Sequence, residues 1–346
     1  MMDGCQNYEV EVSVYCLSFN HEKYIRYTLE GFVNQQTNFS YEVLVYDDAS
    51  TDNTREIIRE YADRYPKIIV PIFQTENQYS KGIDVTQKFV FPRLRGRYIC
   101  SCEGDDYWCD PYKLQKQYEA LESHPNCSLC THIVKCCNED GSPNARVIPE
   151  RWYKIRESNV IGKEELAQCF WERGGYPFHT SSYFYRSEIR NINFDHPRDI
   201  GILRKCLVIG DCYFINEAMS VRRLWSVGNW NSRLLEQGVE GRYQLMLHDI
   251  VADDCFDKLT EYVWHPYIVK QKLLSLLAYA QYHPYEIKMI LKHSGIHPLK
   301  LRRISIRFKV MIFLKYSLFM ACPECYGKFQ SSYQFLRGWH NRLFHR

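Results

Sequence analysis

The sequence lacks the long apolar runs and the cysteine density that define several classes of protein. No uninterrupted apolar stretch approaches the roughly 18 residues of a membrane-spanning helix. Fifteen cysteines in 346 residues, about 4%, are too few for a disulfide scaffold. Residues 1–5 carry neither a basic segment nor an apolar stretch. We therefore expect no secretory signal, and reduced thiols in a cytosol.

The chain also has little excess of either charge, but its charged residues are unevenly distributed along the sequence. The formal net charge is +3, with 25% charged and 45% hydrophobic residues, as in a soluble globular protein. Residues 299–346 contain ten Lys or Arg and one acid, a net of +9, which leaves −6 for residues 1–298. This pattern excludes a uniformly basic nucleic-acid-binding protein. It predicts a basic segment that meets another anionic partner.

Strand-like and helix-like segments alternate along the first third of the chain. Four short apolar, β-branched runs predict strands, at residues 10–17, 41–46, 68–73 and 97–102. Each precedes a helical pattern, at residues 25–33, 53–65, 85–94 and 110–123. This alternation predicts an α/β fold with a mainly parallel sheet, whose ligands bind beyond the carboxyl ends of the strands.

The pattern loosens after this region. Residues 126–136 are strand-like, residues 139–143 form a turn, and the periodicity is helical from residue 234 onward. We therefore expect two domains, an α/β domain over residues 1–232 and a helical, basic region over residues 233–346.

Two acidic clusters fall at the predicted ligand-binding edge. Glu103, Asp105 and Asp106 follow the fourth predicted strand, and such close carboxylates repel one another unless a cation lies among them. Their oxygen ligands suit Mg²⁺ or Mn²⁺ arriving with phosphates, although a solvated turn that caps the next helix explains the spacing equally well. Asp47 and Asp48 end the second strand, where an Asp can bind a nucleobase or ribose but is more often structural.

Three segments together resemble the family-2 glycosyltransferases, inverting enzymes with the Rossmann-like GT-A nucleotide-sugar fold. They are VSVYCLSFNHEKYI, YEVLVYDDASTDNT and GRYICSCEGDDYWCDPYKLQKQ. Their residues, their order and their separations all match the family, and the resemblance covers roughly residues 8–232. It implies a nucleotide-sugar donor, most often a UDP-sugar, a Mn²⁺ or Mg²⁺ ion, and a hydroxyl acceptor on a glycan or lipid-linked glycan.

The resemblance also implies roles for donor-side residues. Ser18, Phe19 and Asn20 look like the loop along the nucleobase, with Phe19 in the stacking position. Asp48, beside Asp47, occupies the place of the base-recognising aspartate.

The resemblance implies a second group of residues, near the metal ion and the diphosphate. Asp105 matches the metal-binding last residue of the DxD signature; Glu103, followed by Gly104, stands at its first position. Lys81 lies where a cation often faces the diphosphate, and Arg223 is a further candidate. The family's late His is replaced by Trp225, which leaves a third protein ligand to the metal in doubt.

The catalytic base is implied to be Asp199, with Asp211 as the alternative. The segment after Asp211 resembles the family's late strand, which usually follows the base by about a dozen residues, and counting back leads to Asp199. On the acceptor side, His179 resembles a residue under the acceptor pocket. Asp106 and Trp108 are further acceptor-binding candidates.

Two patterns allow competing interpretations. Cys127, Cys130, Cys136 and Cys137 suit a local zinc site, but a strand-like run favours cysteine as a small hydrophobic residue. Residues 299–325 mix basic and large apolar side chains, which suits a helix in the interface of an anionic membrane or a basic helix packed on the domain.

The function that these features predict is sugar transfer with inversion in surface-polysaccharide assembly. The expected location is cytoplasmic, peripheral at the inner face of the cell membrane. A nucleotidyltransferase is an alternative, but residues 18–24 lack its Gly-rich phosphate loop. A non-catalytic, membrane-attached scaffold that keeps the fold is another.

Overall fold

Residues 9–149, 157–173, 177–194, 200–226, 236–298 and 306–330 are described by the structure, which is a computed structural model. They divide into two units. The first comprises Met1–Leu166 and Tyr176–Glu236, and the second comprises Ala167–Gly175 and Gln237–Arg346. The pattern of the sequence does not indicate that a short segment near residue 170 belongs with the C-terminal helices.

In the first unit, the described residues form one mixed sheet of ten strands. The strands are β1 Val12–Ser18, β2 Tyr41–Asp47, β3 Ile69–Phe73, β4 Tyr98–Ser101, β5 Tyr107–Trp108, β6 Cys127–Cys137, β7 Pro143–Ile148, β8 Asn159–Ile161, β9 Phe184–Arg186 and β10 Asp211–Arg223. Their order is β3-β2-β1-β4-β9-β6-β10-β5, with β7 paired to β6 and β8 to β10. The long ladders, β1 with β2 and β6 with β10, are parallel. The predicted α/β fold is therefore confirmed.

Helices connect the strands and make up the second unit. They are α1 Ile25–Val33, α2 Thr54–Arg64, α3 Lys113–Ser123, α4 Lys163–Arg173, α5 Ile200–Ile209, α6 Gly238–Leu259, α7 His265–Tyr279, α8 Pro284–His293 and α9 Ile306–Ala321, and a further helix covers residues 323–330. The helix predicted at residues 85–94 is instead a π turn, Thr86–Val90, followed by a 3₁₀ turn, Phe91–Arg93. Pro92 lacks the backbone N–H that a continuous helix needs there.

Apolar packing of α1 on the parallel strands fixes the frame of the first unit. Val12, Val14 and Cys16 of β1 are fully buried, and the same core contains Leu29 and Phe32 of α1. Full burial of such a side chain stabilises the fold by roughly 1.5–3 kcal/mol. A strand that is buried on both faces is what a parallel sheet requires.

A glycine in α1 lets the next layer come close. A Cβ at Gly31 would lie 2.8 Å from the carbonyl oxygen of Trp108, so only glycine fits beneath β5. One turn earlier, the hydroxyl of Thr28 donates to the carbonyl oxygens of Gly104, at 3.1 Å, and Asp106, at 2.6 Å. Helix α1 therefore holds the acidic loop against the sheet.

The second unit is helical and has its own core. Leu273 and Leu276 of α7 pack with Ile312 and Phe319 of α9. Within the described part of the chain, no helix combines the length and the apolar character needed to cross a membrane.

Candidate active site

The ends of four strands meet at one edge of the sheet. Ser18 pairs with Asp47, and Asp47 pairs with Phe73, so β1, β2 and β3 end level with one another. Strand β4 runs parallel to β1 beside them. The loops that follow β1, β2 and β4 carry the predicted donor-site and metal-site residues, and the structure brings these loops together.

Hydrogen bonds join the loop after β1 to the turn after β2. Asn20 has a left-handed backbone, with φ of 56°, which asparagine tolerates better than most residues. Its backbone N–H donates to Ser50 Oγ at 2.9 Å, and its Oδ1 accepts from the Thr51 N–H at 2.8 Å. Ser18 is buried and donates to the carbonyl oxygen of Tyr46, while Phe19 beside it is half-buried. The loop of the predicted nucleobase contact is therefore held in one conformation.

The two aspartates after β2 have different surroundings. The carboxylate of Asp47 is fully buried, accepts from the backbone and side chain of Ser50, and lies 3.4 Å from Arg55 Nε. These contacts are those of a residue that shapes a turn.

Asp48 organises the loop after β3. Its Oδ1 accepts from the Tyr46 hydroxyl at 2.8 Å and the Gln78 N–H at 2.9 Å, and its Oδ2 accepts from the Tyr79 N–H at 3.0 Å. Only 4% of the residue is exposed. The same loop contains Lys81, whose ammonium pairs with Glu76 at the surface.

The acidic loop after β4 lies against the end of β1. The Gly104 N–H donates to the carbonyl oxygen of Leu17 at 2.9 Å. A Cβ at Gly104 would lie 2.7 Å from His21 Nδ1 and 3.0 Å from Ser18 Cβ, so glycine allows this close approach. Glu103 and Asp105 on either side are half-buried.

Residues at and just after the end of β10 contact the acidic loop. The Ser226 hydroxyl donates to Asp105 Oδ2, and Arg223 Nε donates to the Asp105 carbonyl oxygen at 3.3 Å. Arg223 also donates to the carbonyl oxygen of Glu139 at 2.8 Å, and its guanidinium lies 4.8 Å from the centre of the Tyr24 ring. Arg223 thus ties the β6–β7 turn to the acidic loop. The sequence pattern gives no signal for Ser226, because its contact depends on where β10 ends.

Trp225 stands between these two residues with an unusual backbone. Its φ is 64°, and 63% of the residue is exposed. The neighbouring contacts of Leu224 with Cys137 and of Ser226 with Asp105 fix this conformation.

Asp106, which is buried, and His179, which is half-buried, lie close to each other beneath the edge. Asp106 Oδ1 accepts from the Arg223 N–H at 2.8 Å, and its Oδ2 lies 3.7 Å from His179 Nδ1. Burial raises the pKa of the Asp106 carboxyl well above its ordinary value, and the charge of Asp105 adds to this effect. Burial, together with the positive charge of Arg222, lowers the pKa of His179 to about 3. His179 is therefore neutral at pH 7, and its Nδ1 accepts from the Ser181 N–H.

Trp108 is a core residue in this structure. It is 4% exposed, its ring meets Phe32 edge-on at 4.7 Å, and the Lys113 ammonium lies 4.1 Å from the ring centre. These contacts leave no open ring face for stacking on a sugar, so packing accounts for Trp108 without a ligand.

Asp211 lies at the other end of the strands from the acidic loop. Strand β10 runs in the direction of β4 and β1, because β9 is antiparallel to both β6 and β4 and β6 is parallel to β10. Asp211 begins β10, and Arg223, which contacts the acidic loop, ends it; the strand spans roughly 35–40 Å. The Asp211 carboxylate accepts from the Lys163 N–H at 2.8 Å. Its position argues against the alternative assignment of the base. Asp199 lies outside the described residues.

The cysteines of β6 are buried with the strand. Cys127, Cys130, Cys136 and Cys137 are all buried. Burial raises the pKa of the Cys130 thiol, which opposes the thiolate that zinc requires. Among the described residues, no three His, Cys, Asp or Glu side chains gather as a metal-binding group.

The donor set of the acidic loop fits a hard divalent cation. Ser226 holds Oδ2 of Asp105, while Oδ1 accepts no hydrogen bond from any described residue. Glu103 supplies a second half-buried carboxylate two residues away. Mg²⁺ in particular is usually held by one or two carboxylates, with substrate phosphates and water as the other ligands, and a pair of carboxylates matches this kind of donor set.

The sheet and the carboxylates at its edge define a domain of the GT-A class. A sequence model of glycosyl transferase family 2 matches residues 13–189, just over half of the chain, and the chain therefore belongs to that family.

Three similar proteins extend the comparison. Uncharacterized protein Rv1520 of Mycobacterium tuberculosis (strain ATCC 25618 / H37Rv) is 37% identical over 227 residues, which cover 64% of this chain and 61% of that protein. The putative teichuronic acid biosynthesis glycosyltransferase TuaG of Bacillus subtilis is 30% identical over 137 residues, 40% of this chain and 52% of TuaG. The crystal structure of S. aureus TarS 1-349 in complex with UDP-GlcNAc has a TM-score of 0.54 and 17% identity, and covers 91% of this chain and 90% of that chain.

Proposed function

We propose that the chain transfers a sugar from a UDP-sugar to a hydroxyl of a glycan or lipid-linked glycan, with inversion and with a divalent metal ion, in surface-polysaccharide biosynthesis. The observation that carries this proposal is the convergence of the loops after β1, β2 and β4 at one edge of the sheet. Membership of glycosyl transferase family 2 supports the reaction class. The names of TuaG and of the TarS complex support the polysaccharide setting and the UDP-sugar donor.

Asp48 is suited to recognise the nucleobase through the loop that it organises. Its carboxylate already accepts from two backbone N–H groups and one hydroxyl, so it is oriented before any ligand arrives. A carboxylate of this kind can exchange one of these donors for an N–H of uracil. Phe19 and Asn20 line the adjacent loop, and we assign them to the same subsite.

Asp105 and Glu103 are the residues that would hold the metal ion. A bound Mn²⁺ or Mg²⁺ supplies positive charge that stabilises the leaving diphosphate. Ser226 fixes the orientation of the Asp105 carboxylate, which reduces the entropy lost when the cation binds. Lys81 can leave its surface partner Glu76 and turn toward the diphosphate, because exposed ion pairs are weak.

We assign the catalytic base to Asp199. Inversion requires one carboxylate that takes the proton of the acceptor hydroxyl as its oxygen attacks the anomeric carbon. Asp199 directly precedes α5, which is ten residues, or about 15 Å, long and ends two residues before Asp211. Because α5 packs on the sheet and only Gly210 separates it from β10, the helix runs antiparallel to that strand. This course favours the start of α5 over its end as the site of the base.

An Asp199→Asn variant tests this assignment. We expect it to lose sugar transfer by about 10²–10⁴-fold, because an amide cannot accept the proton, while its affinity for UDP stays at the wild-type value. The measurement is UDP release from UDP-GlcNAc and other UDP-sugars, with a membrane lipid extract supplying the acceptor.

Asp211→Asn is the matched control, since the amide oxygen can still accept from the Lys163 N–H. It should transfer sugar at the wild-type rate. A dead Asp211→Asn variant together with a normal Asp199→Asn variant would overturn the assignment.

The second unit offers a surface for peripheral membrane contact. Helix α9 buries Ile312 and Phe319, whereas Ile306, Val310 and Leu314, spaced four residues apart, are exposed on another side. This arrangement combines the two interpretations of the basic segment, because the helix packs by one side and presents aliphatic side chains with the other. Lys309 on the same helix suits anionic headgroups. We therefore propose a peripheral location at the cytoplasmic membrane face.

A further inference from the structure

Two cysteines of the second unit have no part in the proposed sugar transfer. Cys322 and Cys325 are separated by Pro323 and Glu324, which gives the C-x-x-C spacing. Ten of the fourteen cysteines in the described residues are buried, but Cys322 is half-buried and Cys325 is exposed. This pair is therefore accessible to solutes that the core thiols cannot meet.

The backbone brings the two thiols within reach of each other. Cys322 directly precedes a helix that covers residues 323–330, with Pro323 at its first position, where proline is favoured. The Cys325 N–H donates to Cys322 Sγ at 3.4 Å, which is the contact of a helix-capping side chain. Residues three apart at a helix start have Cα atoms about 5 Å apart, within the range that a disulfide spans.

The two thiols have different acidities. Hydrogen bonds from the thiol and the backbone N–H of Cys325 lower the pKa of Cys322, and the same pairing raises the pKa of Cys325. In contrast, burial raises the pKa of core thiols such as Cys100 and Cys206. One member of the pair is thus suited to attack a disulfide and the other to resolve the product.

The helix that carries the pair is fixed to the core of the second unit. Tyr326 is buried, its hydroxyl donates to the carbonyl oxygen of Leu277 at 3.2 Å, and its ring meets Phe319 edge-on at 5.4 Å. The side chain of Gln330 donates to the carbonyl oxygen of Ala278 at 3.1 Å. These contacts hold Cys325 in a fixed position relative to the core of the second unit.

We propose that Cys322 and Cys325 form a redox-active dithiol, which exchanges reversibly with low-molecular-weight disulfides. The thiolate of Cys322 attacks one sulfur of the disulfide RSSR; a Cys322–SR bond forms, the S–S bond breaks, and RS⁻ leaves and takes up a proton. The thiolate of Cys325 then attacks the Cys322 sulfur, and the second RS⁻ leaves and is protonated. The balance is two cysteine thiols and RSSR giving one Cys322–Cys325 disulfide and two RSH.

Incubation of the full chain with oxidised glutathione, followed by alkylation and peptide mass analysis, tests this proposal. We expect the peptide with both cysteines to lose two hydrogens and to regain them with excess reduced glutathione. The Cys325→Ser variant should instead retain one glutathione on Cys322, because nothing resolves the mixed disulfide.

Cys255, an exposed thiol on α6, is the internal control. No other cysteine lies within three residues of it, so it should form no intramolecular disulfide in excess oxidised glutathione. The proposal is overturned if the pair stays reduced in excess oxidised glutathione, or if Cys325→Ser accumulates no mixed disulfide. It is also overturned if the purified chain carries stoichiometric zinc that blocks both thiols until a chelator removes it.

Discussion

At the scale of single residues, acidic residues that are adjacent in the sequence acquire different structural roles through the groups they contact. Asp47 and Asp48 are adjacent, yet the first shapes a turn with Ser50 and the second organises the loop at Gln78. Asp105 is half-buried and contacts Ser226, whereas Asp106 is buried and accepts from the backbone of Arg223. The sequence predicts that these acids lie at one edge. It does not predict which of them faces inward.

The limit of that prediction is physical. The position of an acid follows from the strand that precedes it, and strand patterns are local. The partners of Asp105 and Asp106 come from the end of β10, more than a hundred residues later, and depend on how β10 pairs with β6. The burial of Trp108 likewise depends on the close approach that Gly31 allows. An exposed aromatic residue and a core one look the same in the sequence.

The imidazole of His179, whose side chain is only 15% exposed, makes the stability of the fold depend on pH. Its pKa falls from 6.5 to about 3 in the folded chain, so below pH 6.5 the unfolded chain binds a proton that the native chain does not. The stability that the neutral imidazole contributes is therefore lost as the pH falls, by at most about 1.4 kcal/mol per pH unit. A glutamine side chain does not titrate, so the stability of a His179→Gln variant should rise relative to that of the wild type as the pH falls.

Urea unfolding of both proteins at pH 7 and at about pH 5 measures this effect. The difference in unfolding free energy between variant and wild type should shift in favour of the variant at the lower pH. A difference that is the same at both pH values would mean that His179 titrates normally in the folded chain.

At the scale of elements, the four N-terminal strands were more predictable than the four helices that follow them. The four N-terminal strands lie within one or two residues of their predicted bounds, because β-branched apolar runs leave little choice in a buried parallel sheet. Helix α3 begins at Lys113 rather than at residue 110, since Asp110 accepts from the Tyr112 N–H and forms a turn first. Such local competition by an aspartate side chain is not visible in hydrophobic periodicity.

The close contact between α1 and β5 gives a prediction at this scale. In most helices, replacing glycine by alanine gains up to about 1 kcal/mol. In Gly31→Ala the new Cβ would lie 2.8 Å from a backbone oxygen that cannot move alone, so we expect a loss of about 1–3 kcal/mol. Urea unfolding measures it.

Gly162→Ala is the control, because a Cβ there meets nothing within 4 Å. It should cost at most about 0.5 kcal/mol, the penalty for alanine at the start of α4. Equal effects of the two substitutions would contradict the account of Gly31.

At the scale of the whole molecule, charge and exposed apolar surface concentrate toward the C-terminal end. Residues 299–346 carry a net charge of +9, and α9 in the same region exposes Ile306, Val310 and Leu314. The charge was evident from composition. The exposed stripe was not, because it requires knowing that Ile312 and Phe319 turn inward.

A Val310→Glu, Leu314→Glu double variant tests the membrane proposal. It should lose most of its binding to vesicles that contain phosphatidylglycerol, because carboxylates replace the inserted aliphatic side chains and repel the headgroups. Cosedimentation with the vesicles measures the bound fraction. Val251→Glu, at an exposed position of α6, is the control and should bind as the wild type does. Equal binding by all three proteins, or none by the wild type, would contradict the proposal.

The edge formed by β1, β2 and β4 should bind a nucleoside diphosphate together with a metal ion. Calorimetric titration of the whole chain with UDP, GDP and dTDP, each with and without Mn²⁺, tests it most directly. Asp105→Ala removes the proposed metal ligand, Ser226→Ala removes only the hydroxyl that orients it, and Glu119→Ala removes an exposed carboxylate of α3 as the control.

We predict that UDP binds the wild type and Glu119→Ala with a strong dependence on Mn²⁺. Ser226→Ala should need about tenfold more Mn²⁺, equivalent to about 1.4 kcal/mol, and Asp105→Ala should lose the dependence altogether. A preference for GDP or dTDP would keep the site and change the donor. If no nucleotide binds, or if Asp105→Ala retains metal-dependent binding, the account of this edge as the donor site is contradicted, and complete absence of binding would favour a non-catalytic scaffold.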